Sequence, residues 1–226
     1  MEDDKNVISL LDADTKAVAI FGKSWDLHIT EILNATLDEN LELVYDTLKF
    51  FKDKGKEVVF DAEHFYDGYK ANSEYALKVL EAADRAGADT LCLCDTNGGC
   101  FPDEIYKITK IVAERLPGRK LGIHCHNDIG CAIASSMLSV EAGVSHIQGT
   151  FIGVGERCGN ADLSVIIPNL QLKKNYSCVQ EDLRKLSETV IKIYEISNMI
   201  MPANKPYVGS SAFAHKGGMH IDGVNK

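Results

Sequence analysis

LGIHCHND, residues 121–128, begins as an apolar run and ends polar, with two histidines one residue apart at the junction. An extended strand sends alternate side chains to one face, so His124 and His126 project together with their Cβ atoms about 7 Å apart. A strand that is apolar along its length and polar only at its carboxyl end suits a parallel sheet covered by helices, where both faces are buried and chemistry collects at the strand ends. The same layout recurs outward from this stretch. KAVAIF (16–21), EVVFDAE (57–63), DTLCLCDT (89–96) and SHIQGTFI (145–152) read as further strands.

Helical patterns separate them. TLDENLELVYDTLKFFKDKG opens with a capping-box spacing, Thr36 to Glu39, sets Leu41, Val44, Leu48 and Phe51 on one stripe, and stops at Gly55. SEYALKVLEAADRAG stops at Gly87 in the same way. In PDEIYKITKIVAERLPG, Pro102 suits the first helical position, Asp103 and Glu104 favour the positive end of the dipole, and Pro117-Gly118 ends the helix. Further helices are predicted over 128–143, over 160–170 with Asn160 as a candidate N-cap, and as one piece over 176–200.

Strand and helix alternating at intervals of about 30 residues leave two architectures, an open doubly wound sheet and a (β/α)₈ barrel. No Gly-x-Gly-x-x-Gly follows any strand, which weakens a dinucleotide-binding reading, and the polar strand ends favour the barrel. Only five strand–helix units can be counted. The expected fold is therefore α/β, a partial (β/α)₈ TIM barrel over residues 1–172 comprising about five C-terminal units, followed over 173–226 by a helix and a linker toward a helical subdomain.

Composition narrows the function. The 226 residues carry a net charge of −9, which offers no electrostatic footprint for nucleic acid or an anionic membrane surface. No apolar run approaches the roughly 20 residues of a membrane span, and the first residues lack a signal-type apolar core, so a cytoplasmic location is expected. Seven cysteines, an odd number scattered through apolar segments, read as reduced thiols.

Five stretches could carry chemistry. His124 and His126 either converge on one ion or include a hydrogen-bonded core histidine. GVGERCGNA (153–161) places Glu156, Arg157 and Asn160 in a glycine-rich loop after the fifth strand. FDAEHF puts Asp61 and Glu63 on one strand face, and LCDTNGG puts Cys92, Cys94 and Thr96 on another; Cys92-Leu-Cys94 lacks a second cysteine pair and reads as packing. AFAHKGGMHIDG contains His215 and His220 flanked by glycines, which by themselves read as exposed loop residues.

Taken together and in this order, FDAEHFYDGYKAN, LCDTNGG, GIHCHND, GERCGNA and AFAHKGGMH resemble the 2-isopropylmalate, homocitrate and citramalate synthases, the acyl-CoA-condensing branch of the DRE-TIM metallolyases. Within that branch the likeness is greatest to the citramalate synthases. The resemblance implies that His124 and His126 are metal ligands with Asn160 beside the ion, which would be Mg²⁺ or Mn²⁺ with Zn²⁺ as the alternative. It implies that Thr96 binds the carboxylate of a 2-oxo acid, that Glu63 assists at the acetyl-CoA side, that Glu156 is a nearby carboxylate, and that His220 takes a proton from acetyl-CoA. The implied reaction condenses acetyl-CoA with pyruvate to give (R)-citramalate and CoA, in a homodimer. The family's Asp-x-x-Leu-Arg-Asp-Gly motif of the first strand does not occur, so the chain reads as a fragment starting near the fourth strand, with activity expected of a longer parent. The sister synthases, a carbon–carbon lyase of the HMG-CoA lyase type and a non-catalytic truncated barrel stay open as alternatives.

Overall fold

Five parallel strands form one sheet in sequential order: β1 (Ala17–Lys23), β2 (Glu57–Glu63), β3 (Thr90–Asp95), β4 (Leu121–Cys125) and β5 (His146–Gln148). The computed structural model describes residues 4–179 and 183–224, apart from the side chains of Met219, His220 and Val224. The order decides between the two architectures. A doubly wound sheet reverses direction at a switch point, whereas here each strand is added beyond the last, as in a (β/α)₈ barrel. The chain therefore forms an arc of such a barrel.

Strand alternation sorts the two faces. Val58, Phe60 and Ala62 of β2 are wholly buried, while Val59, Asp61 and Glu63 point the other way and remain partly accessible. Behind the sheet lie α1 (Lys5–Asp12), α2 (Leu37–Asp53), α3 (Phe65–Ala71), α4 (Ser73–Ala86), α5 (Pro102–Arg115) and α6 (Ala132–Glu141). The capping box of α2 forms as expected, with Glu39 N donating to Thr36 Oγ1 at 3.2 Å and Thr36 N to Glu39 Oε2 at 2.7 Å. Val44, Leu48 and Phe51 bury their stripe, each side chain contributing about 1.5–3 kcal/mol. Leu41 is only partly covered, and the buried place on that turn goes to Asn40, whose Nδ2 donates to Lys23 O and to Tyr75 Oη, both at 3.0 Å.

Several predicted boundaries move. The fifth strand ends at Gln148 and does not run to 152, because Thr150 leaves the β4 ladder to bridge Asp162 and residues Phe151–Gly153 form a 3₁₀ turn with Ile152 at φ +63°. The helix expected from 128 starts at Ala132: Gly130 adopts φ +74°, and Asn127 Oδ1 accepts the Ala132 N–H at 3.2 Å, which holds the intervening residues in a turn. The helix expected from Asn160 starts at Leu163, with Asp162 as its N-cap in place of Asn160. Of the long helix expected over 176–200, the described residues form Leu183–Lys185 in 3₁₀ form and then the helix Leu186–Ile196.

The chain divides into two units, Met1–Gly149 with Gly155–Ala161, and Thr150–Val154 with Asp162–Lys226. The first contains the sheet and α1 to α6. The second contains α7 (Leu163–Pro168), α8 (Leu186–Ile196) and α9 (Gly218–Val224). Its small core joins Val190, Tyr194 and Val208 to Phe151, Ile152, Leu186, Met201 and Tyr207, and Lys205 is buried in an ion pair with Asp162.

Candidate active site

At the carboxyl ends of the strands, one row of inward side chains crosses the arc. Lys23 stands opposite Glu63, Cys94 opposite His124, and His124 opposite Gln148. The rings of His124 and His126 face the same space, with centroids 5.2 Å apart and planes inclined by 32°. Asn160 joins them because the chain after β5 folds back: it bridges His126 in antiparallel fashion, Ala161 N donates to Cys125 O at 3.0 Å, and Asn160 Oδ1 lies 3.2 Å from His124 Nε2. Gly155 makes room for that amide, since a Cβ there would sit 2.2 Å from Asn160 Nδ2.

The other predicted residues occupy neighbouring positions. Thr96 directly follows β3, and its Oγ1 accepts the His64 N–H at 2.8 Å. His64 can present that N–H because it takes a left-handed conformation, φ +55°, at the end of β2. Its ring stacks edge-on against His28 with centroids 4.4 Å apart, and Trp25 lies 4.7 Å from His28. Glu63 forms an ion pair with Lys23. Glu156 stands on the outer rim with its side chain 83% exposed, 3.9 Å from Arg157. His220 lies on α9 in the second unit, but its side chain falls outside the described residues.

The sequence pointed to Arg157 and Asp61 as polar rim residues, but not to Gln148 or to the contacts that tie the loops together. Arg157 grips Asp128 through Nε and Nη2 at 2.8 and 3.0 Å and donates from Nη2 to Thr96 O at 2.6 Å, so one guanidinium links the loops after β3, β4 and β5. That contact holds the Asp128 carboxyl below its usual range. Gln148 and Asp61 form the second set: Gln148 Nε2 lies 2.6 Å from Asp61 Oδ1, and Gln148 Oε1 lies 2.7 Å from His124 Nδ1. The signal for Gln148 was its place on the inward face of β5, concealed by the overlong strand expected there.

The donor set fits a divalent cation. Burial, with the neighbouring His124 and Arg157 adding to it, lowers the pKa of His126 and favours the neutral ring a ligand needs, and its Nδ1 is buried without a hydrogen-bond partner. Two imidazoles and an amide oxygen suit a borderline ion, and hard Mg²⁺ or Mn²⁺ would need more oxygen ligands. Deeper in the arc, Asp61, Cys92 and Cys94 bring ligand-type atoms within 4.8 Å of one another. There burial raises the Cys92 thiol well above its usual pKa, as expected of a packed, protonated layer.

The HMGL-like family pattern matches residues 2–200. The chain belongs to the HMGL-like family. This HMGL-like chain is 55% identical to the (R)-citramalate synthase of Aquifex aeolicus and 49% identical to that of Synechocystis, matching across 100% of its own length and 43% of theirs. It thus spans less than half the length of these curated relatives. Proteins named as probable 2-isopropylmalate synthases or as homocitrate synthase are similar at 33% to 35% identity. Among solved structures, the HMG-CoA lyase of Bacillus subtilis superposes with a TM-score of 0.74 over 88% of this chain and 69% of that one; at 19% identity the likeness shows the shared fold.

Proposed function

We propose that the protein containing this arc is a metal-dependent condensing enzyme that joins acetyl-CoA to pyruvate, giving (R)-citramalate and CoA. The observation that carries the reading is the convergence of His124, His126 and Asn160 at the carboxyl ends of the strands. The higher identity to citramalate synthases than to the sister synthases supports pyruvate as the oxo acid.

His124, His126 and Asn160 are the residues that hold the cation. When bound there, a divalent ion supplies Lewis acidity to the keto oxygen of the 2-oxo acid and stabilises the negative charge that grows on it. Thr96 binds the oxo-acid carboxylate: its oxygen already accepts from His64 N–H, which leaves its own proton to donate. Glu63, paired with Lys23, orients the acetyl-CoA side. His220 removes a methyl proton, the resulting carbon nucleophile adds to the keto carbon, and water then cleaves the thioester and releases CoA. Glu156 contributes a rim carboxylate near His126. The reading brings with it a cytoplasmic homodimer; among the described residues no helix is long and apolar enough to cross a membrane.

The test is thiol release from acetyl-CoA, assayed with Mn²⁺ or Mg²⁺ on the protein at the length of its relatives. Pyruvate is expected to give the highest kcat/KM. Preference for 2-oxoisovalerate or 2-oxoglutarate moves the assignment to a sister synthase, and CoA release without consumption of an oxo acid overturns it in favour of a lyase.

A further inference from the structure

A side-chain amide donates at one end and accepts at the other, and its shape does not reveal which end is which. At Gln148 the neighbours decide. One end lies 2.6 Å from Asp61 Oδ1 and the other 2.7 Å from His124 Nδ1. An ionised carboxylate can only accept. The Gln148 NH₂ must therefore face Asp61, which leaves the Gln148 carbonyl facing His124. A carbonyl also can only accept, so Nδ1 of His124 carries the ring proton and Nε2 carries the lone pair. That lone pair lies 3.2 Å from the Asn160 amide, which can turn its NH₂ to donate to the metal-free imidazole or its oxygen to share a bound cation.

We infer that Gln148, clamped by Asp61, is the positioning residue that holds His124 as the Nδ1–H tautomer and so aims its Nε2 lone pair, together with Asn160, at a divalent cation. The cation half of this inference rests on the proposed metal centre; the tautomer half stands on the hydrogen bonds alone. Asp61 sits on β2 and Gln148 on β5, strands that are not neighbours in the sheet. The contact is a chord across the concave face of the arc, which gives the imidazole an orienting partner that does not depend on its own strand. Metal-bound histidines commonly rely on such a partner for tautomer and ring orientation.

The experiment is long-range ¹H–¹⁵N NMR of the ¹⁵N-labelled protein at the length of its relatives, at pH 8 in chelator, with His124 assigned from the His124→Gln spectrum, followed by Mn²⁺ titration read by electron paramagnetic resonance. The expected wild-type spectrum shows a protonated Nδ1 and a pyridine-type Nε2. Gln148→Leu should average the two nitrogen shifts and weaken Mn²⁺ binding about 10- to 100-fold. Gln148→Glu keeps an acceptor for Nδ1–H and should restore the wild-type tautomer. Asp61→Val should free the Gln148 amide to rotate and mix the tautomers. A protonated Nε2 in the wild type, or an unchanged His124 spectrum in a folded Gln148→Leu variant, overturns the inference and leaves the proposed reaction standing. The inferred tautomer without any Mn²⁺ binding overturns the cation half and the metal-centre reading with it.

Discussion

Two glycines beside the imidazoles separate the position of a ligand from the stability of the fold. Gly155 has no special backbone requirement, and an added methyl would meet the movable end of Asn160, at 2.2 Å from Nδ2. Gly98 has φ +62°, and an added Cβ would come within 2.9 Å of the backbone at His126 and Asp128. Gly155→Ala is therefore expected to cost less than about 1 kcal/mol in a urea melt while weakening Mn²⁺ binding about tenfold. Gly98→Ala should cost about 1–3 kcal/mol. Equal stability losses in the two variants would show that the Asn160 position is not set by Gly155. At this scale the histidine pair was legible because a period of two needs no tertiary information. Gln148 and the contacts of Arg157 were not, because the partners that give them meaning lie 24 to 87 residues away in sequence.

Helix starts were legible where the cap and its partner are three residues apart and hydrogen-bond locally. Thr36 and Glu39 form such a pair, so Thr36→Ala is expected to lower stability by about 1 kcal/mol, read as a shift of the urea midpoint with an unchanged slope. A midpoint shift under a quarter of that size would mean the α2 terminus is held by its packing instead. The start of α7 shows where local reading fails. Asn160 and Asp162 are both good N-cap residues, but Asn160 is engaged in the bridge to His126, so the helix waits for Asp162, whose Oδ1 accepts from Ser164 N at 2.9 Å. The fifth strand was overestimated for a related reason: Thr150 has a β-branched side chain suited to a strand, but its Oγ1 hydrogen-bonds to Val154 O at 2.6 Å and tightens the turn.

Across the whole molecule, three histidines are pushed in one direction. His28, His126 and His146 all have pKa values lowered from 6.5, in each case chiefly by burial. The unfolded chain binds more protons than the native one in the interval between the lowered values and 6.5, so stability should rise with pH through that interval and level off above it. Urea midpoints measured in chelator are expected to fall as the pH drops below about 6.5. His146→Phe should flatten that slope; a midpoint that rises on acidification through the same interval would refute the sign. Asp61 and Asp95, raised above 3.8 by burial, favour the protonated native form and oppose the loss only at lower pH.

Amino-acid order alone determined that this chain would make parallel strands with helices between them, and that His124 and His126 would share a face, because both follow from repeats of two and of 3.6 residues along a regular backbone. Tertiary structure decided how the site closes. Only the curvature of the sheet brings Asp61 on β2 to Gln148 on β5, and only the return of the chain after β5 sets Asn160 against His124. Those contacts depend on distances across a folded arc, which no local periodicity encodes.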